Sequence, residues 1–184
     1  MSEVAQRFRR VAGRFTDAVQ CVPADAWDNP APCEGWVARD VVRHLVEWVP
    51  SFLRGGAGLE LAPGPSADDD PVGAWLALGG ALQAVLDDAG LSARELTNEH
   101  TGRHRVDDAI GMFVLGDVLI HTWDLARAAG LDETLDAGEV HRMVVGLEPL
   151  GDALSLSGHY AARVELPSGA DEQTRLLALT GRRR

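Results

Sequence analysis

The chain has 184 residues, of which 46% are hydrophobic, enough for one sizeable core. A formal net charge of −11 and a pI near 4.9 argue against nucleic acid and anionic membranes as partners. With only Cys21 and Cys33, no disulfide framework is indicated, so a reducing cytoplasm is the expected compartment.

The opening MSEVAQRFRR lacks the apolar run of a signal peptide, and no stretch is expected to reach the roughly 18 apolar residues of a membrane span. Val4, Phe8, Val11, Phe15 and Val19 recur at three-to-four spacing and predict a first helix over 3–21. The proline-rich PADAWDNPAPCEG interrupts it, and a second helix is expected over 37–54, with Pro50 a kink candidate. The Gly/Pro-rich, acidic GGAGLELAPGPSADDD reads as a surface loop. Asp70 and Pro71 supply an N-cap and a first-position proline for a third helix ending near Gly90.

Residues 91–109 are polar and irregular, and His100, Arg103, His104 and Arg105 are expected at the surface. A fourth helix runs to Gly130, and Asp136 with Glu139 resembles a capping box for a fifth over 137–157. His141 and His159 are placed at the surface too, and YAARVELP (160–167) reads as a short extended segment. Every basic residue is Arg, and Arg182, Arg183 and Arg184 read as a solvated tail. The expected architecture is all-α: one domain over 1–184, an up-and-down four-helix bundle with an added C-terminal helix and a packed tail.

The segment IGMFVLGDVLIHTWDLARAA (110–129) carries the chemistry. At about 100° per residue, Asp117 and His121 lie about 40° apart on a helix, with Asp124 within about 60° of both. Apolar residues surround this stripe, and a buried carboxylate or imidazole needs a partner or a metal. His44, among Val41, Leu45, Trp48 and Phe52, offers a third donor from the second helix. Each element has a plainer reading. A lone His among apolar residues is commonly a hydrogen-bonded core residue, and Asp-x3-His is commonly an exposed ion pair. Together, His44, Asp117 and His121 suit a divalent metal with an open coordination position. Cys33 reads as a packed loop thiol that is able to approach such a metal.

PCEGWVARDVVRHL (32–45), GDVLIHTWDLARAAG (116–130) and RLLALTGR (175–182) resemble the actinobacterial metal-binding proteins of the DinB-like superfamily. The chain is similar there to the N-terminal domain of mycothiol-dependent maleylpyruvate isomerase. The resemblance implies a helical bundle holding one divalent metal through His44, Asp117 and His121; from these donors the ion is expected to be zinc or nickel. The isomerase pattern carries Glu where this chain has Asp117, one methylene shorter. It also implies thiol chemistry, with mycothiol as possible co-substrate and a small electrophile as its partner. Asp124, on the same helical stripe, is then a candidate proton handler or orienter of a ligand; its plainer reading is a hydrogen bond that holds Trp123 or a neighbouring helix. The isomerase has a further domain that helps form its active site, and this sequence stops soon after the bundle. Isomerisation of maleylpyruvate itself is therefore not expected. The expectation is a metal- and thiol-dependent transferase or isomerase, monomer or homodimer; the alternative is a non-catalytic metal-binding module acting as sensor, carrier or protein partner.

Overall fold

The computed structural model describes residues 2–151, 154, 160–166 and 168–184. Helix α1 (Glu3–Cys21) starts on Ser2, whose hydroxyl accepts the Ala5 N–H, and buries Phe8, Val11, Phe15 and Val19, the predicted stripe. Helix α2 (Ala38–Ala57) opens with Asp40 reaching back to accept the Val37 N–H at 2.8 Å. It continues through Pro50 and stops only at Gly58, so it is longer than the proline suggests. Helix α3 (Pro71–Asp87) is capped by Asp70, which accepts from Gly73 N. A one-turn helix, α4 (Ala89–Ser92), follows on its own cap, Asp88.

The next stretch differs from expectation. Glu95–Asn98 (β1) and Gly102–Arg105 (β2) form an antiparallel hairpin, with Glu95 opposite Arg105. Asn98 Oδ1 accepts the His100 and Thr101 N–H groups and closes the turn. Leu96 is the one fully buried residue of the two strands, so apolar alternation was too thin to announce them. His100, Arg103 and Arg105 are exposed as expected, whereas His104 is half-buried, its Nε2 2.6 Å from Thr101 O and its ring against Phe113.

From β2 the chain enters one continuous helix, Val106–Ala129, made of α5 (Val106–Ala109), a π turn (Ile110–Val114) and α6 (Leu115–Ala129). At 24 residues and a mean hydropathy of 1.4 in its most apolar window, it is long and apolar enough to cross a membrane by composition, contrary to expectation. Its most apolar window is 78% buried inside the protein, and α6 is in contact with α1, α2 and α7. Helix α1 packs on α3 and α6, and α2 packs on the same two, so the order around the bundle is α1, α3, α2, α6.

Helix α7 (Ala137–Leu147) opens with Asp136 accepting the Glu139 N–H at 2.9 Å. The Glu139 carboxylate does not return to the cap. It is buried and takes a two-pronged bond from Arg7 of α1, at 2.7 to 3.2 Å. A 3₁₀ turn, Glu148–Leu150, follows, and the rest of the expected fifth helix falls largely outside the described residues, as does His159. Residues 161–166 form no strand, although Val164 N–H donates to Ala178 O. The expected packed tail is itself helical: α8 (Glu172–Leu179) is capped by Asp171 and packs on α7.

Arg7 and Glu139 tie α1 to α7, and removing Arg7 leaves the buried carboxylate only the longer contacts, 3.7 Å, from the half-exposed Arg10 and Arg142. Arg7→Leu is expected to lower unfolding stability by about 2 kcal/mol in urea titrations, the worth of a hydrogen bond to a charged group, with Arg7→Leu/Glu139→Leu recovering most of that loss. A double variant no more stable than the single would contradict this account.

Candidate metal centre

Helices α2 and α6 meet along a seam in which each pair of facing residues is set by four-residue spacing. His44 faces His121 with ring centroids 5.0 Å apart. One turn on, Trp48 Nε1 donates to Asp117 Oδ2 at 2.8 Å, and beyond it Phe52 meets Phe113 at 6.0 Å. The two stripes therefore run antiparallel, with titratable groups at one end and aromatic rings at the other. The π turn ends at Val114, so Asp117, His121 and Asp124 all sit in regular α-helix and keep their predicted common face.

His44, Asp117 and His121 come together as expected. Asp117 Oδ2 lies 3.1 Å from His44 Nε2, and Asp117 Oδ1 lies 3.4 Å from His121 Nε2. One donor atom from each of the three falls within 4.8 Å of the others. Donors bonded to a tetrahedral zinc at about 2.0–2.1 Å stand about 3.3 Å apart, close to the two distances from Asp117 to the imidazoles. The side chains of His44 and Asp117 remain 33% and 21% exposed, whereas His121 is buried, so the cluster opens to solvent on the α2 side.

The loop before α2 closes another side. In PCEGW, Trp36 N–H donates to Cys33 O at 3.0 Å across a turn whose third residue, Gly35, has φ +76°. Only glycine takes that conformation without strain, and the turn sets Cys33 and Trp36 side by side. The Trp36 ring stacks on His121 at 5.8 Å and tilts over His44 at 5.1 Å. Cys33 is directed instead to Asp124, with Sγ 3.5 Å from Oδ2.

Asp124 is wholly buried and holds His121 from behind, Oδ2 to Nδ1 at 2.9 Å. It does not hold Trp123, whose Nε1 donates to Glu133. Its second partner is Arg182, which donates Nε to Oδ1 at 3.2 Å and Nη2 to Oδ2 at 2.8 Å. The reading of Arg182 as part of a solvated tail is thus corrected: its side chain is 11% exposed and forms a buried ion pair. Arg183 and Arg184 are exposed as expected. The available signal was a buried-helix aspartate without a cation of its own and an arginine directly after the apolar LLALTG. His141 pairs with Glu172 on an exposed surface, at 2.8 Å.

Burial opposes ionisation of Asp117, but the His121 and His44 imidazoles and the Trp48 N–H outweigh it and hold the carboxyl below its usual range. Burial opposes it for Asp124 as well, outweighed by the bonds from His121 and Arg182. For His121, burial disfavours the charged ring, and the charge of Asp117 and the bond to Asp124 overcome it and raise the pKa. Cys33 goes the other way: burial, then the Asp124 charge, push its thiol up to about 12.

Two outcomes follow from these shifts. Raised above 6.5, His121 contributes stability that is complete below that value and lost as pH rises through its folded pKa. Asp117 and Asp124, lowered from 3.8, contribute stability present above that value and lost as pH falls through their folded pKa values. Chelator-treated protein should therefore melt highest in mildly acidic buffer and lower above neutrality. A chelator-treated melting temperature that climbs through neutrality would contradict the assignment. Cys33, its thiol half-buried and pushed up to about 12, should resist iodoacetamide long after the exposed Cys21 is alkylated. Peptide mapping by mass spectrometry reads this directly, and equal labelling would overturn it.

The model of the mycothiol maleylpyruvate isomerase N-terminal domain matches residues 8–126, more than half of the chain, including His44, Asp117, His121 and Asp124. Two uncharacterised proteins of Mycobacterium tuberculosis, from strains CDC 1551 and H37Rv, are each 29% identical over 133 residues, covering 70% of this chain and 68% of theirs. No solved structure matches the chain. By its sequence match and its helical fold, the chain belongs to the mycothiol maleylpyruvate isomerase N-terminal domain family.

Proposed function

We propose that the protein is a metal-dependent enzyme that uses a low-molecular-weight thiol, mycothiol, in transfer to or isomerisation of a small electrophile. The observation that carries this reading is the convergence of two imidazoles and one carboxylate on a face open to solvent, in a family named for a mycothiol-dependent isomerase. His44, Asp117 and His121 are the ligands, and zinc or nickel suits their nitrogen and oxygen donors. A divalent ion there supplies the Lewis acidity that keeps a thiol deprotonated, and still nucleophilic, near neutral pH.

The chain's own residues prepare that chemistry. Asp124 accepts from His121 Nδ1 and leaves Nε2 facing the cluster, which favours the orienting role over direct proton handling for a carboxylate so deeply buried. Trp48 fixes Asp117 through its indole N–H, and Trp36 covers the two imidazoles and excludes water from one side. Cys33 is half-buried against Asp124, and burial and that charge push its thiol up, which supports a thiol from solution as the nucleophile. Both cysteines are unpaired, which suits a cytoplasmic setting.

Two measurements test this. Reconstituted and desalted protein should carry about one equivalent of divalent metal by elemental analysis. His44→Ala/His121→Ala should lose it, and undiminished binding in that variant would sink the ligand assignment. Metal-loaded protein should then accelerate loss of mycothiol in an electrophile panel. Asp117→Ala should abolish that rate together with the metal. Asp124→Asn should keep metal with affinity weakened about 10–100-fold. No rate above buffer with fully loaded protein would leave the non-catalytic metal-binding module as the correct reading.

A further inference from the structure

His121 is linked to a part of the chain that lies far from it in sequence. Asp124 bonds its Nδ1 and is in turn gripped at both oxygens by Arg182. Arg182 follows α8, and its place is built by that helix's end. Gly181 N–H donates to Ala178 O at 3.1 Å and Arg182 N–H to Leu177 O at 2.7 Å, with Gly181 at φ +81°. This is the paired 6→1 and 5→2 closure of a helix end, which reverses the chain at the glycine. It turns the guanidinium inward, where it also reaches Cys33 Sγ at 3.4 Å and its own segment's Thr180 O at 2.9 Å. A Cβ at Gly181 would stand 2.5 Å from the Ala161 Cβ, so the turn has no room for a side chain there.

Cys33, His121 and Asp124 also offer donor atoms close together, but they make no second cation site. The Arg182 guanidinium already supplies the positive charge on that side, 2.8 Å from Asp124. Its planar fork fixes the carboxylate in two directions, as a carboxylate that sets the direction of an imidazole must be fixed.

We infer that Arg182 is a positioning residue for the metal centre, and that docking of the 171–182 segment and metal binding strengthen each other through Arg182, Asp124 and His121. This rests on the reading that His44, Asp117 and His121 hold a metal. The coupling is reciprocal by thermodynamic necessity: what the docked arginine adds to metal affinity, the metal adds to docking.

Cobalt(II) is the probe, on the full chain. Arg182→Gln should weaken cobalt binding, measured by chelator competition, about 10–100-fold and alter the d–d absorption of the bound ion. Arg182→Lys should recover part of the affinity, because an ammonium restores charge but not the fork. Gly181→Ala, which touches no ligand, should weaken binding in the same direction. In the unmodified chain, cobalt should slow amide exchange across 176–182, and in Asp124→Asn that protection should disappear. Unchanged affinity and spectrum in Arg182→Gln would overturn the inference. So would an exchange rate in 176–182 that ignores cobalt in the unmodified chain, a comparison that stands even if the substituted chains fail to fold. If the unmodified chain binds no cobalt, the metal reading fails and this inference with it; if it binds cobalt and is indifferent to residue 182, only the coupling fails.

Discussion

Two carboxylates and an imidazole on a helix at the centre of the bundle govern the rest of this structure. A buried ionisable group without a partner is far too costly to keep, so each neighbouring element has to deliver one. Helix α2 brings His44 and the Trp48 indole to Asp117. The segment after α8 brings Arg182 to Asp124, and the turn before α2 lays Trp36 over both imidazoles. His121 stands between the two carboxylates, one at each ring nitrogen. That arrangement separates two jobs: Nε2 faces the open cluster, and Nδ1 is committed to holding the ring.

The separation also sorts the two acids. Asp117 stays partly exposed and faces two imidazoles, which help hold its carboxyl ionised. Asp124 has no exposed surface and is paired with an arginine, so its charge is already balanced. Cys33 lies against this second acid, where burial and the neighbouring negative charge keep it a neutral thiol.

Much of this was legible in the sequence, because helices convert spacing into direction. The four- and three-residue steps from Asp117 to His121 to Asp124 put them on one face, and His44, Trp48 and Phe52 repeat every four residues on α2. The meeting of His44, Asp117 and His121 needed only that these two helices be neighbours, which the bundle provides. What escaped lies where contact order is long or local pattern weak. The arginine directly after LLALTG was the one hint, but its partner Asp124 lies 58 residues away, and three consecutive arginines suggest a solvated end. The hairpin at 95–105 has one buried residue, Leu96, so it lacks the alternation that marks a strand. The apolar run over 106–129 was read without its first residues, which join it across the π turn into one 24-residue core helix.

The central claim is that the ion is held by two imidazoles and one carboxylate, with the nearby sulfur excluded. X-ray absorption fine structure on zinc-loaded protein tests it most directly. The account predicts a first shell of nitrogen and oxygen only, at about 2.0–2.1 Å, with the outer-shell scattering of two imidazole rings. A sulfur contribution at about 2.3 Å would place Cys33 on the metal and contradict it.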